Sequence, residues 1–484
     1  MQIEIWSQLQ HRQHIWNVDA TGSIIEDVKN QKKPYLYSIV CHDEQNKCII
    51  PIAEFVTTSH NHISVTSYFY LVKKYFEKYS KAKSNFIFAP VMVTDFSWTL
   101  ISSIIEAFNS MTVIEYLNIS FEILVLKKDF LIFKTILYLC AAHFIKLIVK
   151  KVKDAEPSLN QEVKKCFVFC FTLLQNSTNL IEFECYFINI LRMFNSPTIN
   201  ATSASAINYL RSQISNRDPS DLAYANFEGL GSKEDSEREK NFELLSMLDD
   251  IQLQTIKTLK KASKFQSYFE NILNANMKII SNYDITKHLN PYYSPKLFLI
   301  IMNYIYIIPF WTGIMLNLKT GHLIQYQSKK RTTNNPVENH FEFDKNKLLN
   351  GKLRVKPSEF IAPKFRFILS KFITFYLNDL VKQRNFKKQI VDEIEKWKIS
   401  KDYNRVKSFY YQNIANFDSS IDYGSANLYI ASPEEENHLE TNVSHQEEDE
   451  SSDQTILLSK FKMFTFNSSF IVFSHVSLRW KRVI

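Results

Sequence analysis

The sequence predicts a mixed α/β protein built on one central sheet, with a long all-helical block set into it. Three observations carry this. The chain opens with short apolar runs bounded by turn residues, at Gln13–Glu26, Pro34–Val40 and Cys48–Val56, the pattern of an antiparallel meander. From Ser64 to Tyr79 the apolar positions fall on one helical face, so the period changes from strand to helix. From about residue 155 to 325 helical spacing dominates, so the block reads as an insertion between two parts of one core.

The elements follow in order. His14-Ile15-Trp16-Asn17-Val18-Asp19 reads as the first strand, with Ala20-Thr21-Gly22 as its turn and a further strand to Glu26. Asp43 to Lys47 is a polar turn before the third strand. Val91-Met92-Val93-Thr94-Asp95 is a buried strand ending in an acid, and Leu100, Ile101, Ile104, Ile105 and Phe108 then mark a helix. Thr135 to Cys140 reads as a fifth strand, followed by a basic helix over His143–Val152. Cys166 to Phe194 is one apolar helical region, Ala204 to Ile214 a further helix, and helices resume over Phe242–Tyr283. Asn334 to Asn350 is a late helix, and Phe360 to Gln412 continues helical and basic. The predicted divisions are 1–154, the first part of the core; 155–325, the helical insertion; 326–412, a late helix and helical C-terminal part; 413–459, an acidic disordered segment; and 460–484, an unassigned tail.

Composition excludes several classes. Seven glycines in 484 residues leave little for glycine-cradle phosphate sites, and no Walker loop, dinucleotide fingerprint or kinase signature occurs. The formal charge is +8, yet nine acidic residues and no Lys or Arg lie between Glu434 and Asp453, which leaves +17 for the rest. A basic folded body suits a polyanion, nucleic acid first, although a solvated Lys-rich surface has the same composition. The six cysteines and the absence of a leader pattern at Met1–Trp6 predict free thiols in a reducing compartment. Leu297–Leu316 is long and apolar enough to span a bilayer, but Asn303, Pro309 and Gly313 interrupt it, so a buried helix with a turn at Pro309 is expected, and no membrane.

Three acids stand out. An acid closing a strand of an open α/β sheet lies where ligands bind, which singles out Asp95; the same residue suits a helix N-cap. Asp19 is either a ligand or a turn opener. Glu338, in Thr332-Thr333-Asn334-Asn335-Pro336-Val337-Glu338-Asn339-His340, is either a ligand or the N3 member of a capping box with Asn335 as cap. Cys140 and His143 offer two metal ligands, too few to close a tetrahedral zinc site unless Cys166 and Cys170 join them, so zinc is not expected. His60 and His62 read as surface residues, and Trp98 and Trp311 as core. Lys146, Lys150, Lys151, Lys153, Lys329, Lys330 and Arg331 flank the acids in sequence and suit phosphate contacts.

Asp-Ala-Thr-Gly, Val-Thr-Asp-Phe-Ser-Trp, Cys140-Ala-Ala-His143 and Thr-Asn-Asn-Pro-Val-Glu, in this order, resemble the catalytic core of Mutator-like (MULE-type) DDE transposases. The likeness covers about residues 14–150 and 295–360. It implies a ribonuclease-H-like five-stranded mixed sheet with a helical insertion. It implies metal-dependent DNA strand cleavage and strand transfer, with Asp19, Asp95 and Glu338 holding two Mg²⁺ or Mn²⁺ ions. It implies transposon ends and target DNA as partners, the nucleus as compartment, and the homodimers such enzymes often form. Members usually carry an N-terminal DNA-binding module; this chain starts almost at the first core strand, so sequence-specific end recognition is not expected of it. The alternative expectation is a catalytically inactive, transposon-derived DNA- or protein-binding factor.

Overall fold

A computed structural model describes residues 15–22, 24–27, 33–43, 47–79, 91–128, 135–217, 250–280, 288–316, 333–371 apart from 358, 362 and 369, and the two short runs 464–466 and 469–472. All of them belong to one compact unit, residues 1–372 with 463–476.

The protein is α/β with a mixed, partly parallel sheet. Strands β1 (Ile15–Thr21), β2 (Tyr35–Asp43) and β3 (Cys48–Thr57) form the antiparallel meander. Helix α1 (His62–Tyr79) leads on to β4 (Val91–Thr94), which lies parallel to β1, and β5 (Ile136–Leu139) lies parallel to β4. Every residue of β4 and β5 is buried, as parallel strands covered on both faces must be. A five-stranded sheet was expected, but the observed order is β5-β4-β1-β2-β3-β7-β6. The additional strands, β6 (Phe464–Phe466) and β7 (Ser469–Val472), come from the unassigned tail, and β7 pairs antiparallel with the edge of β3.

Between β4 and β5 run α2 (Trp98–Ile104), a π turn over Ile105–Asn109, and α3 (Val113–Leu124), a helix the sequence reading passed over. Thr112 and Glu115 start α3 with a reciprocal capping box. Asn109 then grips the start of β5, its amide bonding Thr135 O at 2.9 Å while its oxygen accepts from Thr135 N at 3.0 Å.

After β5 come α4 (Ala141–Ala155), α5 (Gln161–Gln175), α6 (Leu180–Asn195), α7 (Ala201–Ser215), α8 (Asp250–Ala262), α9 (Lys264–Ile280) and α10 (Pro295–Tyr304). The expected single helix over Cys166–Phe194 is two helices. Asn176 ends α5 and the Asn179 side chain caps α6 by accepting from Glu182 N, because asparagine satisfies helix-end donors better than it continues a helix. The block packs around Trp311, which stacks on Phe171 at 4.9 Å and on Phe144 of α4 at 5.6 Å. The apolar run Leu297–Leu316 folds as α10, a short 3₁₀ turn over Ile305–Ile307 and a one-turn helix over Ile308–Trp311, so Pro309 sits in a helical first turn where its missing N–H costs nothing. Among the described residues no helix is long and apolar enough to cross a membrane.

Helix α11 (Asn335–Phe343) continues as a π turn over Asp344–Leu348. Val337 and Phe341, one turn apart, bury themselves with Ile24, Leu36, Val40 and Val56 against the meander. Each such side chain contributes roughly 1.5–3 kcal/mol. The second strand expected before Glu26 does not form: Ile25 makes only an isolated bridge to Val355, which closes this cluster instead. The expected disordered segment, 413–459, and the helical run beyond 371 lie outside the described residues.

Candidate active site

The register of the three parallel strands builds the site. Val18 of β1 pairs with Thr94 of β4, and Thr94 pairs with Leu139 of β5. The next residue on each chain is therefore Asp19, Asp95 and Cys140, three neighbours in a row across the carboxyl ends of adjacent strands. The Cys140 N–H donates to Thr94 O at 2.8 Å, which fixes this row. Asp19 is still within β1, paired with Ser38, and does not open a turn as one reading had it; it is half-buried, and its Oδ1 accepts the Ala20 N–H at 2.7 Å.

Asp95 does not cap the helix after it. Ser97 holds the N-cap position of α2, and only the Asp95 carbonyl takes part in that turn, accepting Ser97 N at 2.7 Å. Its carboxylate is left for the site. There Oδ1 accepts from His143 Nδ1 at 2.6 Å and from Asn334 Nδ2 at 3.3 Å.

His143 sits one turn into α4. Its other nitrogen, Nε2, lies 3.3 Å from Glu338 Oε1 on α11, so one imidazole ring spans two of the three acids. Burial by itself would depress this imidazole's pKa. The Asp95 carboxylate outweighs burial through charge and hydrogen bond and pushes it up to about 12. In the charged form this favours, its Nδ1–H donates to Asp95, and Nε2 lies within ion-pair range of Glu338. Asp19 responds in the opposite sense: burial first, and the nearby Asp95 charge second, hold its carboxyl well above the usual range. Glu338 and His143 also act on Asp19 electrostatically, so all three acids share one field.

The capping box expected at α11 is absent. Asn334, one residue earlier than expected, is the N-cap, and its side chain makes no cap bond. Its amide instead donates to Val18 O at 3.2 Å and to Asp95, while its N–H donates to the buried Cys140 thiol at 3.2 Å. Asn334 therefore ties α11 to β1, to Asp95 and to the start of α4. Glu338, freed from capping, turns to His143, with 32% of its side chain exposed against 14% for Asp95.

Asp95, Cys140 and His143 bring ligand atoms within 4.8 Å of one another, a mixed oxygen, sulfur and nitrogen set. The thiol accepts a backbone N–H and the imidazole is protonated, so both would need rearranging to bind zinc. Cys166 and Cys170 do not join them; their thiols hydrogen-bond to each other. Asp19, Asp95 and Glu338 offer hard oxygen donors of the kind small divalent cations take, but among the described residues they are not a group whose ligand atoms all lie within 4.8 Å of one another.

Lys146, Lys150 and Lys151 lie on the exposed face of α4, opposite its buried Phe144, Ile145, Ile148 and Val149, whereas Lys153 is half-buried. Lys329, Lys330 and Arg331 lie outside the described residues. His60 packs edge-on against Tyr35 at 3.5 Å, His62 pairs with Glu106 at 2.8 Å, and Trp98 and Trp311 are core.

Sequence reasoning missed a second polar group. Glu54 of β3, His340 of α11 and Asp344 of the π turn are all buried and bring ligand atoms within 4.8 Å, an acidic and histidine group able to bind a metal. Lys364 reaches into it. Two signals were present: an acid inside the apolar strand Ile52-Ala53-Glu54-Phe55, and a His-x₃-Asp pair, four apart, on one helical face.

No protein-family model matches the sequence, and no curated protein matches it.

Proposed function

We propose that the protein is a metal-dependent DNA strand-cleaving and strand-transferring enzyme with a ribonuclease-H-like core of the Mutator-like transposase kind. One observation supports the reading: Asp19 and Asp95 lie side by side at the carboxyl ends of β1 and β4, His143 hydrogen-bonds Asp95 and ion-pairs with Glu338 of α11, and the charges of Asp95 and Glu338 both act on Asp19. The order β5-β4-β1-β2-β3 within the seven-stranded sheet, with β2 antiparallel to its neighbours and a helical block between β5 and α11, is compatible with such a core.

Asp95, central in the row, and Asp19 beside it would hold divalent cations together with Glu338. Bound there, a pair of divalent cations activates the attacking water or 3′-hydroxyl and stabilises the leaving oxygen. Asn334 holds the Asp95 carboxylate in register with β1. His143 supplies positive charge beside Asp95 and Glu338, a charge that bound cations would replace. Lysines of α4 contact phosphates and position the duplex without reading its sequence.

The test is cleavage and strand joining of nicked and branched DNA with Mg²⁺ or Mn²⁺ by the full chain, wild type against Asp95→Asn. Activity lost in the variant supports the reading; equal activity overturns it. The second reading, an inactive DNA-binding factor, is favoured by the same ion pair, since an imidazolium already lies between Asp95 and Glu338 and offsets part of their charge. DNA binding without cleavage in either protein would select it.

A further inference from the structure

The Lys364 ammonium, 3% exposed, is surrounded by three acceptors: Glu54 Oε1 at 3.0 Å, His340 Nε2 at 2.9 Å, and Asp344 Oδ2 in a short ion pair. An ammonium has three hydrogens to give, and here there is one atom for each. His340 Nε2 also lies 2.7 Å from Glu54 Oε1. An Nε2–H donating to Glu54 would face the lysine N–H groups donor to donor. With its lone pair turned to Lys364, Nε2 and Oε1 sit side by side because they share a cation, as ligands around a metal do. Ser38 Oγ supports Glu54 from behind at 2.8 Å. Asp344 Oδ1 is buried with no hydrogen-bond partner, a donor atom that a larger or more highly charged ion would use.

We infer that Lys364 is the resident cation of a three-ligand seat, a tethered substitute for a metal ion, and that this seat positions α11. The helix lacks a side-chain cap, and His340 is two residues from Glu338 on the same short helix. Two of the seat's ligands, His340 and Asp344, belong to α11 and its π turn, and the third belongs to β3. Lys364 thereby locks the Glu338 helix to the sheet. In the role given to Glu338 this rests on the proposed function; the seat itself does not.

The experiment uses the full chain in an Asp95→Asn background, so that the sheet-edge site does not take up zinc. Lys364→Ala should bind one equivalent of Zn²⁺ that the parent does not, through Glu54, His340 and Asp344 with water as fourth ligand. Amide hydrogen exchange over 335–343 should quicken in Lys364→Ala and slow again when Zn²⁺ is added. Zinc binding by the parent at this seat, or unchanged exchange with no zinc uptake in the variant, overturns the inference. Should Lys364→Ala not fold, the triple variant Glu54→Gln/Asp344→Asn/Lys364→Met removes all these charges together. Exchange at α11 faster than in the parent supports the seat, and parental protection overturns it. With Asp95 intact, Lys364→Ala should weaken Mn²⁺ binding about ten- to a hundredfold. A wild type that binds no Mn²⁺ sinks the enzymatic reading alone, because exchange and zinc uptake still judge the seat.

Discussion

Two acidic clusters share the helix α11, and they differ in how their charge is balanced. At the sheet edge Asp19, Asp95 and Glu338 are partly open to solvent and have one imidazolium among them. Under the sheet Glu54 and Asp344 are sealed and have a covalently attached ammonium. Glu338 and His340, two apart on a helix, point to different sides, so one element serves both. An open, under-neutralised cluster suits exchange with an external cation and a polyanion; a closed, neutralised one suits structure. Desolvated charge is tolerated only with its partner in place, and losing one partner costs more than the pair contributes.

The comparison breaks or sharpens in a definite order. Asp95→Asn should lower DNA cleavage by at least about a thousandfold, since it removes a proposed metal ligand; gel assays with Mn²⁺ measure this, and the lost His143 partner adds a smaller cost in stability. Glu54→Gln should do the reverse. It takes from buried Lys364 one of its two carboxylate partners and costs about 3–5 kcal/mol in urea unfolding, leaving Asp19, Asp95 and Glu338 untouched.

The pH dependence separates the clusters next. Burial alone would raise the Glu54 carboxyl, but the Lys364 charge beside it is the leading effect that outweighs burial and holds it at about 2. A depressed acid stabilises the fold above its unfolded pKa, about 4.3, and loses that contribution as pH falls toward 2. Asp344, on the same ammonium, is shifted upward because burial prevails there, so it weakens the fold as pH rises through its raised value. Melting temperature should therefore fall steeply on acidification below about pH 4.3, and Glu54→Gln should flatten that fall. A wild-type profile already flat there would show that Glu54 is not held by Lys364.

Smaller effects follow. Asn334→Ala should cost about 1–3 kcal/mol and weaken Mn²⁺ binding about tenfold, seen by calorimetry, because Asp95 loses its tie to β1. Least of all, Lys151→Ala should leave stability within about 0.5 kcal/mol and reduce the salt slope of DNA binding by about one.

Much of this was legible in the residues. Apolar alternation located β2 to β5 to within a few positions, and the acid closing Val91–Thr94 marked the sheet edge because burial patterns report which end of a strand meets solvent. Local rules misled where a long-range partner competed for the same atom. Asn334 and Asp95 have the chemistry of caps, but the amide of one meets the carboxylate of the other across 239 residues. Glu338 was weighed as a cap partner for the same reason. Lys364 was invisible, since nothing in a basic helical stretch distinguishes one lysine that turns inward. Pairing of 469–472 with β3 depends on an exposed strand edge, which the tail's own sequence does not encode.

The bond from Asn334 to Val18 O closes a loop of 316 residues. The carboxylate at the end of β4 therefore acquires its last support only after the ribosome has delivered the entire intervening helical block. A nascent or truncated chain ending short of α11 presents the bare edge of a sheet with two of its three acids. Assembly of the three-acid arrangement thus waits until α11 has been made.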